Sequence, residues 1–222
     1  MTTDALIVGA GPGLSAAFAR LLAREGWQVA LAARGTAKLA GLAEETGASL
    51  HACDAADPAA VAALFAAVPS PALVLYNASA RVRGPLVDLD PEAVRRAIEV
   101  TAFGAFLVAQ QAARRMLPGG GTIMLTGASA GVKGFAQSAS FAMGKFALRG
   151  LAQSMARELH PQGVHVVHVV VDGAIRAAGR AEPAAGSHLD PAAIAETMLA
   201  IARQPRSVWT DEIAVRPWVE RF

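Results

Sequence analysis

Apolar residues in this chain fall into two kinds of run. Ala5-Leu6-Ile7-Val8, Val29-Ala30-Leu31-Ala32-Ala33, Ala72-Leu73-Val74-Leu75-Tyr76, Thr122-Ile123-Met124-Leu125-Thr126 and the segment Val164 to Val171 are short and nearly unbroken. Runs of that length without polar alternation are expected of parallel strands covered on both faces. Between them apolar positions recur at helical spacing, most clearly at Val94, Ala97, Ile98, Thr101, Ala105, Val108 and Ala112. Asp57-Pro58 and Asp90-Pro91 each pair a capping side chain with a proline suited to the first helical turn, and Pro191 opens a last helix. Helices are predicted over 36–46, from Pro58 to about 67, as one long helix from Pro91 to the Pro118-Gly119-Gly120-Gly121 stop, over 140–160 and over 191–203. Weaker strands lie at 48–52 and 212–215, and the Ala/Gly/Arg-rich stretch 174–190 reads as a loop. Strands alternating with helices predict an α/β fold: one domain over 1–222, a doubly wound parallel sheet of about seven strands with helices on both faces.

Composition narrows the classes. Apolar residues make up 54% of the 222, largely alanine, and charged residues 17%, which suits a packed helix-rich domain and excludes disorder. The net charge is +2 and the arginines are scattered, without a basic run interleaved with aromatics, so nucleic acid is not an expected partner. No apolar span approaches the roughly 20 residues a bilayer requires, and no membrane partner is expected. The single Cys53 cannot form an internal disulfide and fits a reducing, cytoplasmic setting. His165 and His168 are three apart in a strand and point to opposite faces, so no metal is expected.

The ends of the strands carry the chemistry. Gly9, Gly11, Pro12 and Gly13 follow the first strand at once, with Leu14 and Ser15 opening a helix. Glycines there let the backbone approach a pyrophosphate seated at a helix N-terminus, the arrangement of a Rossmann-like dinucleotide site. Leu14 occupies the final glycine position of a strict G-x-G-x-x-G. The second strand ends in Arg34-Gly35-Thr36, with Lys38 close by. An acidic residue there serves a ribose 2′-hydroxyl, whereas an arginine suits a 2′-phosphate, so NADP(H) is expected over NAD(H). Asp54, at the third strand's end, is a candidate adenine contact or a turn residue, and Asn77-Ala78 lets the chain pass close to a ribose.

The order of these features, with a serine-containing segment after the fifth strand and the helix segment Phe141-Ala142-Met143-Gly144-Lys145, resembles the short-chain dehydrogenase/reductase family along nearly the whole chain. The resemblance is to an atypical subgroup, carried also by Trp209-Thr-Asp-Glu-Ile-Ala-Val-Arg-Pro-Trp218. It implies a catalytic asparagine, serine, tyrosine and lysine. Here Thr101 stands at the asparagine, Ala128 at the serine with Ser129 one place along, and Phe141 at the tyrosine; Lys145 is retained. Lys145 is then expected to hold the cofactor ribose, and Asp172, Gly173 and Ile175 to approach the nicotinamide. Phe141 is expected to be an apolar pocket wall.

Three functions follow from this: an NADP(H)-dependent oxidoreductase with an altered proton relay acting on a small carbonyl, imine or activated alkene; a nucleotide-binding regulatory protein without turnover; and a lyase, dehydratase or isomerase on the same scaffold. The resemblance also implies a homodimer or homotetramer built on the helices around 97–112 and 141–159.

Overall fold

The computed structural model describes residues 4–177 and 179–219. Seven parallel strands form one sheet in the order β3-β2-β1-β4-β5-β6-β9. They are β1 (Asp4–Val8), β2 (Gln28–Ala33), β3 (Ser49–Ala52), β4 (Leu73–Tyr76), β5 (Gly121–Ala128), β6 (Val164–Val171) and β9 (Glu212–Val215). Two further short strands, β7 (Ala174–Ile175) and β8 (His188–Leu189), pair with each other. The helices are α1 (Leu14–Arg24), α2 (Ala40–Thr46), α3 (Pro58–Ala67), α4 (Pro91–Ile98), α5 (Gly104–Met116), α6 (Ala139–Leu159) and α7 (Pro191–Ala202).

The inner strands β1, β2, β4, β5 and β6 each feed two cores. Leu6 and Val8 face the side covered by α3, α5 and α6, while Ala5 and Ile7 face α1, α2 and α7. With both sets buried, a strand has no polar side to show, which explains the unbroken apolar runs. The single-domain doubly wound sheet is therefore as expected. The sheet order reverses between β1 and β4, and in open α/β sheets ligands collect beyond the strand ends at such a point.

The structure alters four local expectations. β5 runs on to Ala128 because Gly127 and Ala128 stay in register with Val170 and Val171 of β6. The helix expected over 36–46 starts as a 3-10 turn, Ala37–Leu39, before α2. The stretch 174–190 is not wholly loop, since β7 and β8 pair within it.

The long helix from Pro91 is interrupted by a π-helical turn, Glu99–Phe103, between α4 and α5. The Tyr76 hydroxyl, from the end of β4, donates to the Val100 carbonyl in that turn. Gly104 follows with no room for a side chain: a Cβ there would stand 2.5 Å from the same hydroxyl. Tyr76 is thus buried and committed to the helix, with its phenol pKa raised by desolvation. It does not face the crevice.

Asp57, Asp90 and Asp190 cap α3, α4 and α7 through backbone amides of each first turn. Among the described residues no helix is long and apolar enough to cross a membrane, and no group of three or more His, Cys, Asp or Glu could hold a metal ion.

Candidate functional site

Two cavities open along the strand ends at the sheet reversal, of about 450 Å³ and about 600 Å³. Asn77 and Ser79 line both, so they are two lobes of one crevice.

The glycine turn forms the wall of the smaller lobe. Gly9 has φ +80°, and a Cβ there would stand 2.2 Å from the Ala78 amide nitrogen. Only a glycine lets the turn after β1 and the Asn77-Ala78 segment pass so closely. The Asn77 Nδ2 donates to Ser15 Oγ at 2.9 Å and approaches the Gly9 carbonyl at 3.5 Å, locking the two segments together. Ser15 is buried and its hydroxyl also donates to Gly9 O, so it braces the turn and does not face a ligand. Leu14 is likewise buried in the core. Gly11 and Gly13 have open space where a Cβ would stand, and no side chain caps the start of α1. Pro12, between them, is exposed, and none of the three is among the lobe's lining residues. Free helix-terminal amides beside open space suit an anionic group such as a pyrophosphate.

Arg34, Gly35, Lys38 and Asp54 line the same lobe. No carboxylate pairs with Arg34 among the described residues. Thr36 lies outside the lining. Asp54 accepts from the Ala56 amide at 3.0 Å, a turn role that leaves it on the lobe's edge. Cys53 is buried, and desolvation pushes its thiol pKa up, as befits an inert packing residue.

In the larger lobe, α6 supplies Phe141 and Lys145, one helical turn apart on its buried stripe. Ala128, Ser129, Gly173 and Ile175 complete the wall. The Asp172 carboxylate is buried, 3.4 Å from Arg216 Nε, and Asp172 is not among the lining residues, while Gly173 beside it is. Gly173 turns there because a Cβ would meet Pro217 Cδ at 2.8 Å. Ser129 Oγ makes no hydrogen bond to the protein among the described residues and is open to a ligand. Thr101 is buried in the π-helical turn; its hydroxyl accepts from the Ala80 amide at 3.1 Å and donates to Ala80 O at 3.4 Å.

Phe141 lines the lobe and also meets a cation. The Arg81 guanidinium lies 3.8 Å above its ring centroid, so the ring is a platform for a cation. Arg81, from the loop after β4, is a site residue that the sequence reading missed. Its one signal was position: it follows Asn77 by four residues at the crevice end of β4.

Lys145 is only 3% exposed, and its Nζ donates to the Thr126 carbonyl at 2.6 Å. Behind that carbonyl the His168 ring packs on Gly127, where a Cβ would stand 2.3 Å from Nε2. His168 Nδ1 meets Glu212 at 2.9 Å, and Arg149 of α6 grips the same carboxylate at 2.6 and 2.7 Å. This bridge fixes α6 against β6 and β9 one turn beyond Lys145. Burial, with help from Arg81, lowers the Lys145 pKa to about 8.

These features accord with similarities to known proteins. The family model described as short chain dehydrogenase matches residues 3–185. The chain is 31% identical over 207 residues to the cyclic-di-GMP-binding biofilm dispersal mediator protein of Escherichia coli K12, covering 91% of this chain and 84% of that protein. The structure of a short-chain dehydrogenase from Rhodopseudomonas palustris is 33% identical, with a TM-score of 0.84 over 97% of this chain and 99% of that one. A metagenomic short-chain oxidoreductase in complex with NADP is 29% identical, with a TM-score of 0.85 over 98% of both chains. The chain belongs to the short-chain dehydrogenase family.

A prediction follows from the buried ammonium. Between the folded pKa of about 8 and the ordinary 10.5, the unfolded chain binds a proton that the folded chain does not. Stability therefore rises with pH across that window, by up to about 3 kcal/mol from this group. Lys145→Met removes the contribution. Urea unfolding at about pH 7.5 and about pH 10 should show the variant's stability relative to the parent falling by about 1–3 kcal/mol as pH rises. The opposing effects of Tyr76 and Cys53, whose pKa values are raised, are common to both proteins. An unchanged difference would contradict the assignment.

Proposed function

We propose that the chain is an NADP(H)-dependent oxidoreductase with an altered proton relay, reducing a small carbonyl, imine or activated alkene. The observation that carries this reading is the continuous crevice, with the unpaired Arg34 in one lobe and Lys145 in the other. Arg34 and Lys38 would hold the 2′-phosphate, the turn at Gly11 and Gly13 the pyrophosphate, Asn77 and Ala78 the adjoining ribose, and Lys145 the nicotinamide ribose. The nicotinamide, when bound, supplies or accepts a hydride. Asp54 borders the adenine position.

The proton side is where this chain differs. Phe141 stands where the family's tyrosine is expected, and a phenyl ring has no proton to give. Loss of a positioned general acid costs about 10²–10⁴ in rate. Ser129 Oγ is the hydroxyl best available to orient a substrate oxygen, while Thr101, at the asparagine position, serves the loop at Ala80. A substrate that needs little acid from the protein is the one this site can turn over. The second reading is binding without turnover, favoured by Phe141 and by the mediator relative, which is named for cyclic-di-GMP binding.

The exposed side chains of Phe106 and Leu117 line a groove of about 350 Å³ between α5 and α6, and Phe146 of α6 is exposed as well. We assign this face to a second copy of the chain, giving a homodimer or a tetramer of dimers.

Two measurements test these assignments. NADPH should bind more tightly than NADH, and Arg34→Ala should remove about 1.5–3 kcal/mol of that preference. Equal dissociation constants for the two cofactors in the parent protein would refute the cofactor assignment. Light scattering at micromolar concentration should report a dimer or tetramer, and a monomer would refute the assembly.

A further inference from the structure

The larger lobe has a charge that the cofactor does not explain. Arg81, Arg83, Lys145 and Arg180 line it, and among its described lining residues there is no aspartate or glutamate. Lys145 is assigned to the ribose, and the phosphates belong to the other lobe. Three arginines are left over. None is ion-paired to a carboxylate among the described residues.

Arg81 is built into place. The peptide groups on either side of it are each held by a buried hydroxyl. Thr101 Oγ1 bonds both the amide and the carbonyl of Ala80, and Ser140 Oγ bonds both the amide and the carbonyl of Val82, at 2.9 Å each. Two residues beyond Val82, the Gly84 amide donates to the Gln137 carbonyl at 3.3 Å. The Phe141 ring then fixes the guanidinium plane from below. Arg81 is exposed at the mouth of the lobe, so the held backbone and the ring contact, not burial, set its position. Bringing a cation so close to Arg83 and Lys145 is unfavourable, and the Arg81 and Lys145 pKa values are both lowered by burial and by a neighbouring cation. An anion between them relieves that repulsion.

We propose that the substrate carries an oxyanion, a carboxylate or a phosphate, gripped by Arg81 on its Phe141 platform, with Arg83 and Arg180 supplying further positive potential at the mouth. This deepens the oxidoreductase reading and rests on it for the word substrate; the anion site itself does not depend on turnover. A guanidinium presents paired donors that match either oxyanion.

The test is binding, with the oxidised cofactor NADP+ present so that no ketone is consumed. Dissociation constants are measured by calorimetry for acetoacetate, for 2-oxopropylphosphonate and for the neutral methyl acetoacetate. At least one anion should bind about tenfold or more tightly than the ester, and that preference should shrink with added salt. Which anion gains more distinguishes carboxylate from phosphate. Arg81→Gln should reduce the preference to about threefold or less, and Arg81→Lys should restore part of it. Circular dichroism and NADP+ affinity, both expected to be unchanged, report that the variants fold. Equal affinity for anions and ester, or a preference that survives Arg81→Gln, would overturn the proposal. If NADP+ fails to bind, the oxidoreductase reading falls, and the same titrations on the cofactor-free chain still decide the anion site.

Discussion

The buried ammonium of Lys145 is the constraint on which the rest of the site depends. A lysine in the apolar stripe of α6 is costly, because burial disfavours its charge. Among the described residues one protein acceptor meets it, the Thr126 carbonyl near the end of β5. That contact requires β5 to continue past Thr126, which the β6 ladder enforces, and requires α6 to sit close to the sheet, which the Arg149–Glu212–His168 bridge enforces. The sheet, the helix and the bridge thus converge on one cation at the mouth of the crevice.

A second cation is then set above the first. Arg81 stacks on Phe141, whose ring is also 5.7 Å from the Lys145 Nζ. In a tyrosine-lysine pair, the lysine charge favours ionisation of the phenol. With a phenyl ring at that position, the charge of Lys145 acts on whatever occupies the lobe. Thr101 and Ser140 turn the helix framework to a related purpose, since both hold the Arg81 loop.

Much of the fold was legible because the sheet is covered on both faces: β1, β4 and β6 are apolar at every or nearly every position, and prolines mark the starts of α3, α4 and α7. What was not legible depends on partners distant in sequence. The π-helical turn comes from Tyr76, 24 residues before the carbonyl it binds, and no local periodicity reports that contact. Ser15 reads as a phosphate ligand from its place in the glycine turn, yet Asn77, 62 residues on, claims its hydroxyl. Asp172 reads as a crevice residue at a strand end, but β9 brings Arg216 to it. Arg81 reads as part of a polar loop, because its place on the crevice needs Thr101, Ser140 and Phe141 to be assembled around it first.

On the proposed reading, the cofactor half of this site is intact and proton supply limits it. The most direct measurement restores the missing groups, Phe141→Tyr with Ala128→Ser, and compares NADPH-dependent reduction of a panel of ketones and aldehydes with that of the parent, alongside NADPH affinity. On this account the double variant binds NADPH as the parent does and gains carbonyl reduction, by about 10²-fold or more where the restored acid acts. Normal NADPH binding with no reduction above the parent's background would contradict it.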